Sequence, residues 1–73
     1  MRLQNSGDYF NTKEIAQKLI ALRTEYRLSQ YKLSVASSVS RQTIVKIENG
    51  DYVAPFYIRK LFAFFKVDPF KTT

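Results

Sequence analysis

Residues 30–50 read QYKLSVASSVSRQTIVKIENG, and the spacing within them decides the fold. Taken with a helical period, Leu33 and Ala36 give a first short helix its apolar side. Val39, Ile44 and Ile47 carry the buried surface onward, with Ile44 and Ile47 one turn apart. Ser38-Val39-Ser40 interrupts the pattern, and Ser40 is a residue whose side chain can cap a helix starting at Arg41. That second helix is expected to stop at Asn49-Gly50, because Gly takes the left-handed conformation that a Cβ disfavours. Two helices joined by so tight a turn must cross steeply. The charge is one-sided as well. From Tyr26 to Ile47 no side chain is acidic, whereas Arg27, Lys32, Arg41 and Lys46 are basic. Solubility alone normally mixes signs on a surface, so this stretch suits a polyanion.

Leu28-Ser29-Gln30, Leu33, Val39-Ser40-Arg41, Ile44, Ile47 and Glu48-Asn49-Gly50 form a pattern that extends upstream to Arg23 and downstream through Pro55 to Val67. On these residues the chain resembles the helix-turn-helix DNA-binding domain of Cro and the lambda-type phage repressors, the XRE family. A match at fixed offsets over most of the chain is far more specific than a short motif with wildcards. Two positions depart from the family. Ser34 stands where a small Ala is usual, and Ser38 where the turn usually has Gly. Ser34 is small enough to keep the helices close, while Ser38 is strained if the turn needs a positive φ. The resemblance implies an all-α fold, a compact four- to five-helix lambda-repressor-like domain. That domain is expected over residues 12–73, behind an N-terminal arm at 1–11.

Composition sets the outer limits. Seventy-three residues make one small domain with a thin margin of buried surface. Five Tyr and six Phe supply bulky rings from which a short chain can build a core. With no Cys, neither disulfides nor thiolate metal sites are available, and a small domain without such staples fits the reducing cytoplasm. No apolar run reaches membrane-spanning length, and the N-terminus lacks the apolar core of a signal peptide. The formal net charge of +6 is the footprint of a nucleic-acid binder. Charge alone does not separate that partner from a merely basic, soluble surface; the motif does.

Along the chain, Asn5-Ser6-Gly7-Asp8 reads as loop or turn, and Tyr9 and Phe10 either pack back on the domain or stay free of it. Asn11 followed by Glu14 has the spacing of a capping box. The first helix is expected from about Thr12 to Tyr26, with Ile15, Leu19, Leu22 and Tyr26 on one face. Lys13, Lys18 and Glu25 fall away from that face, toward solvent. After Gly50 a loop leads to Pro55, well suited to the first position of a fourth helix. Ile58, Leu61, Phe62 and Phe65 are its core stripe. Tyr57 and Phe64 form a second apolar stripe, covered either by the ends of the chain or by a second copy in a homodimer. Asp68-Pro69 resembles the start of a fifth helix, short or missing because the sequence ends at Thr73.

In a helix-turn-helix the second helix enters the DNA major groove while the first crosses the backbone. Arg41 can pair with guanine and Gln42 with adenine, each through two hydrogen bonds, and Val45 can touch a thymine methyl. Lys46, one turn on, can reach a base edge or a phosphate. The resemblance adds phosphate contacts at Gln30 and Asn49, although Asn49 also suits a plain C-cap. Ser40 and Thr43 are placed with the phosphate contacts, and Thr43 also suits a hydroxyl cap. It further implies a structural ion pair between Arg23 and Glu48, tying the first helix to the end of the third. Catalysis has little to stand on. There is no His or Cys, the six carboxylates are scattered, and no base accompanies a serine. No metal, cofactor or small-molecule site is evident, and no enzyme is expected. The expectation is a sequence-specific regulator of double-stranded DNA, a repressor on a palindromic operator. A protein-interaction module that keeps the fold without DNA binding is the alternative, and the basic Arg41-Gln42 start of the helix counts against it.

Overall fold

A computed structural model describes residues 10–70, which fold into four α-helices with no strand among them. α1 spans Thr12–Glu25, α2 Gln30–Ser37, α3 Arg41–Glu48 and α4 Pro55–Phe65. Residues 1–9 of the expected arm lie outside the described residues. So do 71–73, where a fifth helix would continue. Before them, Asp68 Oδ1 accepts the Phe70 N–H at 3.0 Å and closes a turn.

Each helix starts on a residue chosen for the purpose. Asn11 Oδ1 accepts from the N–H groups of Lys13 and Glu14, 3.0 and 3.1 Å away. Ser29 Oγ accepts from Lys32 N–H and Ser40 Oγ from Thr43 N–H, so two of the orphan donors at α2 and α3 are satisfied. Pro55 opens α4, where its missing N–H is not needed.

The helix ends are less orthodox. Gly50 takes φ 84° after α3, and two reverse bonds close the end: Gly50 N–H to Ile47 O and Asp51 N–H to Lys46 O, both 3.0 Å. The other three helices end on residues with side chains in the same left-handed region: Arg27 at φ 56°, Ser38 at 62° and Lys66 at 60°. Arg27 and Lys66 are each followed by a paired reverse bond like that at Gly50. Ser38 makes a single one, to Ser34 O at 2.9 Å. The turn therefore does need the positive φ that its serine resists.

The core is one cluster drawn from every element. Ile15 and Leu19 come from α1, Leu33 from α2, Val39 from the turn, Ile44 and Ile47 from α3, and Val53 from the following loop. Ile58, Leu61, Phe62 and Phe65 complete it from α4. α3 packs on both α1 and α2, and α4 packs on α2. Placed between two partners, α3 buries its inner side and presents the rest.

Four expectations are revised. Ala36 is exposed, and the neighbouring Ser37 is buried in its place. Ser37 tolerates this because its hydroxyl donates to Leu33 O at 2.7 Å and accepts from Val39 N–H at 3.3 Å. Tyr26 lies outside the core, half-exposed, its ring edge-on to Phe65 with centroids 4.9 Å apart. α1 itself stops at Glu25, leaving Tyr26 as its cap. Lys18 is partly buried instead of solvated, its Nζ donating to Pro69 O at 3.2 Å. Phe10 does pack back: its ring stacks on Tyr52 at 5.7 Å and meets Phe70 at 5.1 Å.

Candidate nucleic-acid interface

Ile44 and Ile47 bury one side of α3, which turns Arg41, Gln42 and Lys46 outward. Arg41 and Gln42 occupy the first turn, immediately after the Ser40 cap, and both are exposed. Val45 is half-buried and lines a shallow depression with Arg41 and Gln42. Lys46, exposed in the last turn, borders a different and larger hollow. The row thus divides, three residues on one depression and the fourth beside another. Together they present two cations, an amide and a small apolar surface, the side-chain types that pair with base edges and phosphates.

Around this row the candidate phosphate contacts are held differently. Ser40 Oγ already caps Thr43 N–H at 3.2 Å, and the two hydroxyls lie 2.9 Å apart, sharing one hydrogen bond. One hydroxyl proton of the pair is therefore left for a ligand. Asn49 is exposed at the end of α3, with its backbone N–H bonded to Val45 O. Gln30 is more committed. Its Nε2 donates to Glu48 Oε1 at 3.0 Å, so the side-chain amide at the start of α2 is tied to the end of α3.

Glu48 is the hub of that tie. Arg23 Nε donates to Glu48 Oε2 at 2.6 Å and Arg23 Nη2 to Oε1 at 3.1 Å, a two-pronged geometry that only a guanidinium supplies. The remaining Arg23 Nη1 donates to Leu28 O at 2.9 Å, fastening the α1–α2 turn to the same point. The Glu48 side chain is 7% exposed and that of Arg23 21%. One carboxylate thus fixes α1, the start of α2 and the end of α3 relative to one another, and α3 is aimed by it.

Sequence reasoning passed over Tyr52 and Lys60. Beyond α3, a groove of about 440 Å³ runs between the turn and α4. Ser38, Ser40, Thr43 and Lys46 form one bank, and Tyr52, Tyr57 and Lys60 are on the other. Lys60 carries no motif, and its helix was read only for apolar residues. Of the two residues of the surplus stripe, Tyr57 lines this groove and lies edge-on to Phe56, while Phe64 faces Tyr26 at 6.5 Å. Both keep substantial exposure, 47% and 39%. No helix among the described residues is long and apolar enough to cross a membrane.

The sequence profile of the helix-turn-helix family matches residues 19–71, more than half of the chain. No curated protein and no solved structure gave a significant match. The profile takes in α2, the turn, α3 and α4 together with the Arg23–Glu48 tie. On that coverage, the chain belongs to the XRE-type helix-turn-helix family, the family of Cro and the lambda-type repressors, whose members are DNA-binding transcriptional regulators.

Proposed function

We propose that the protein is a sequence-specific repressor that binds a palindromic operator as a dimer, with α3 in the major groove of each half-site. The observation that carries this reading is the outward row of Arg41, Gln42, Val45 and Lys46 on a helix whose other side is locked into the core. Arg41 and Gln42 stand at the end of α3 that meets bases first, and each suits a two-bond contact to a purine. Ser40, Thr43 and Asn49 flank the row and take phosphates. Gln30 gives one Nε2 N–H to Glu48 and has a second N–H to offer a phosphate, so it both holds α2 against α3 and takes part in the grip. A second copy covers the outer side of α4, where Phe64 and Tyr57 are exposed more than a monomer needs. The setting is cytoplasmic DNA, and no cofactor is required.

Selection of bound sequences from a random duplex pool tests this reading. The expected result is an enriched motif of two inverted half-sites about 34 Å apart, one helical turn. Recovery of a single unrepeated site removes the dimer from the reading. Recovery of no motif removes sequence-specific DNA binding.

A further inference from the structure

In the groove between the turn and α4, the contacts assigned above take in the α3 bank and Tyr57, and leave Tyr52 and Lys60 unassigned. We propose that the groove seats a backbone phosphate of the bound duplex, with Lys60 and Tyr52 as contacts, so that the grip on DNA extends past the reading helix onto α4. This rests on the function proposed above, and the tests below separate the two.

The chemistry of the lining points to a phosphate. Two ammonium groups, Lys46 and Lys60, border the groove, and no carboxylate lines it. Among the described residues neither ammonium has a carboxylate partner, since the ion pair there is Arg23 with Glu48. Hydroxyl groups make up most of the remaining polar lining: Ser38, Ser40, Thr43, Tyr52 and Tyr57. Lys, Ser, Thr and Tyr are the side chains that meet phosphate oxygens in DNA complexes. The spare hydroxyl proton of the Ser40–Thr43 pair adds a donor on the α3 bank. A tetrahedral anion with several acceptor oxygens is matched by donors on two banks, whereas a neutral or cationic ligand is not.

Position and rigidity agree with the chemistry. Lys46 lies in the outward row of α3 and also borders the groove, so a strand held against α3 passes the groove mouth. Tyr52 is held from behind by the Phe10 ring, 5.7 Å away and nearly parallel. Phe10 in turn meets Phe70, over whose ring the Arg59 guanidinium sits at 4.8 Å. The Tyr52 bank is braced before any ligand arrives, which lowers the ordering cost of binding.

The experiment uses the full chain and the operator recovered by selection, with Lys60→Ala, Lys60→Gln and Tyr52→Phe. Lys60 is exposed, so unchanged unfolding midpoints are expected for its variants. Both Lys60 variants should weaken binding to every operator variant by a common factor and keep the preference order. The salt dependence should flatten by one phosphate contact in each of the two protomers, so the affinity lost between about 50 and 200 mM salt shrinks by about 12-fold. On duplexes with one neutral methylphosphonate, one backbone position should weaken the natural protein and leave Lys60→Ala unaffected. Natural affinity and salt slope for both Lys60 variants, while Arg41→Ala still alters base preference, overturn this inference and leave the proposed function standing. If inorganic phosphate shifts the Lys60 and Tyr52 amide resonances but Lys60→Ala binds DNA normally, the seat takes a free anion, and its assignment to the backbone is overturned. No duplex binding by the natural protein overturns the function and this inference together.

Discussion

Arg23 grips Glu48 through two hydrogen bonds, 2.6 and 3.1 Å long, across a separation of 25 residues. The carboxylate also accepts from Gln30, so removing it strands a guanidinium and an amide at once. Breaking one side of a buried pair costs roughly 3–5 kcal/mol. Arg23 keeps some contact with water, which places Glu48→Ala near the lower figure, about 3 kcal/mol. For a domain of this size that lowers the unfolding midpoint by well over about 10 °C. Calorimetry or circular dichroism reads it, and an unchanged midpoint contradicts the account.

Gln30→Ala should behave as a milder version of the same change. Losing a hydrogen bond to a charged group costs about 1.5–3 kcal/mol. The variant should melt earlier than the natural protein and bind all operators less tightly, in the natural order of preference. Wild-type stability with reduced affinity would instead make Gln30 a phosphate contact and nothing more.

Ser38 supplies a prediction of opposite sign. Its φ of 62° strains a residue with a Cβ by about 1–2 kcal/mol, and glycine relieves that at an entropic cost of about 0.5–1 kcal/mol. Ser38→Gly should raise stability by about 0.5–1 kcal/mol. Gly50→Ala should lower it by about 1 kcal/mol, because φ is 84° there while an added Cβ would meet only Lys13 Cγ, at 3.9 Å. Denaturant midpoints of the pair check both signs.

Arg41 and Gln42 separate reading from gripping. Losing a two-bond base contact should cost about 1–3 kcal/mol and flatten preference at one base pair per half-site. Lys46→Ala, if the ammonium meets phosphate alone, should weaken all operators alike and reduce the salt slope by about one per bound protomer. Affinity for a panel of single-base operator variants at two salt concentrations decides these. If Arg41→Ala and Gln42→Ala rank the panel as the natural protein does, α3 is not the reading element.

The proposed dimer is tested at Phe64. Phe64→Glu places a charge on the exposed apolar stripe of α4 and should turn cooperative two-protomer binding into independent binding of single protomers. Sedimentation of free and bound protein measures it, and an intact two-protomer complex sends the interface elsewhere.

The sequence announced those parts of the fold that are written locally. Ser40 before an Ile44–Ile47 stripe, Gly50 after it and Pro55 opening the next helix are decided within a turn or two of each residue. The α4 stripe of Ile58, Leu61, Phe62 and Phe65 repeats often enough to fix its phase, and all four are buried. α2 has eight residues and one buried anchor, Leu33, so Ala36 and Ser37 were equally placed by spacing. What decided between them was the hydroxyl bond to Leu33 O, which no hydropathy pattern records. The stops after α1 and α2 fall within a residue of their expected places, but the left-handed conformation of Arg27, Ser38 and Lys66 carries no glycine to announce it. Lys18 reaching Pro69, Gln30 reaching Glu48 and Lys60 facing Lys46 across a groove are long-range facts. Of the interface, the outward row of α3 could be read in advance; its neighbours on α4 could not.

Along α3 the inward residues Ile44, Ile47 and Glu48 do the holding, and Arg41, Gln42 and Lys46 are exposed. Inheritance acts on those two sets separately. If the outward side chains read DNA as proposed, a lineage can exchange them one at a time and drift from one target sequence to another while the buried set goes on holding the fold. Rivals descended from one ancestor could come to ignore each other's operators through three or four codon changes on a single exposed ridge.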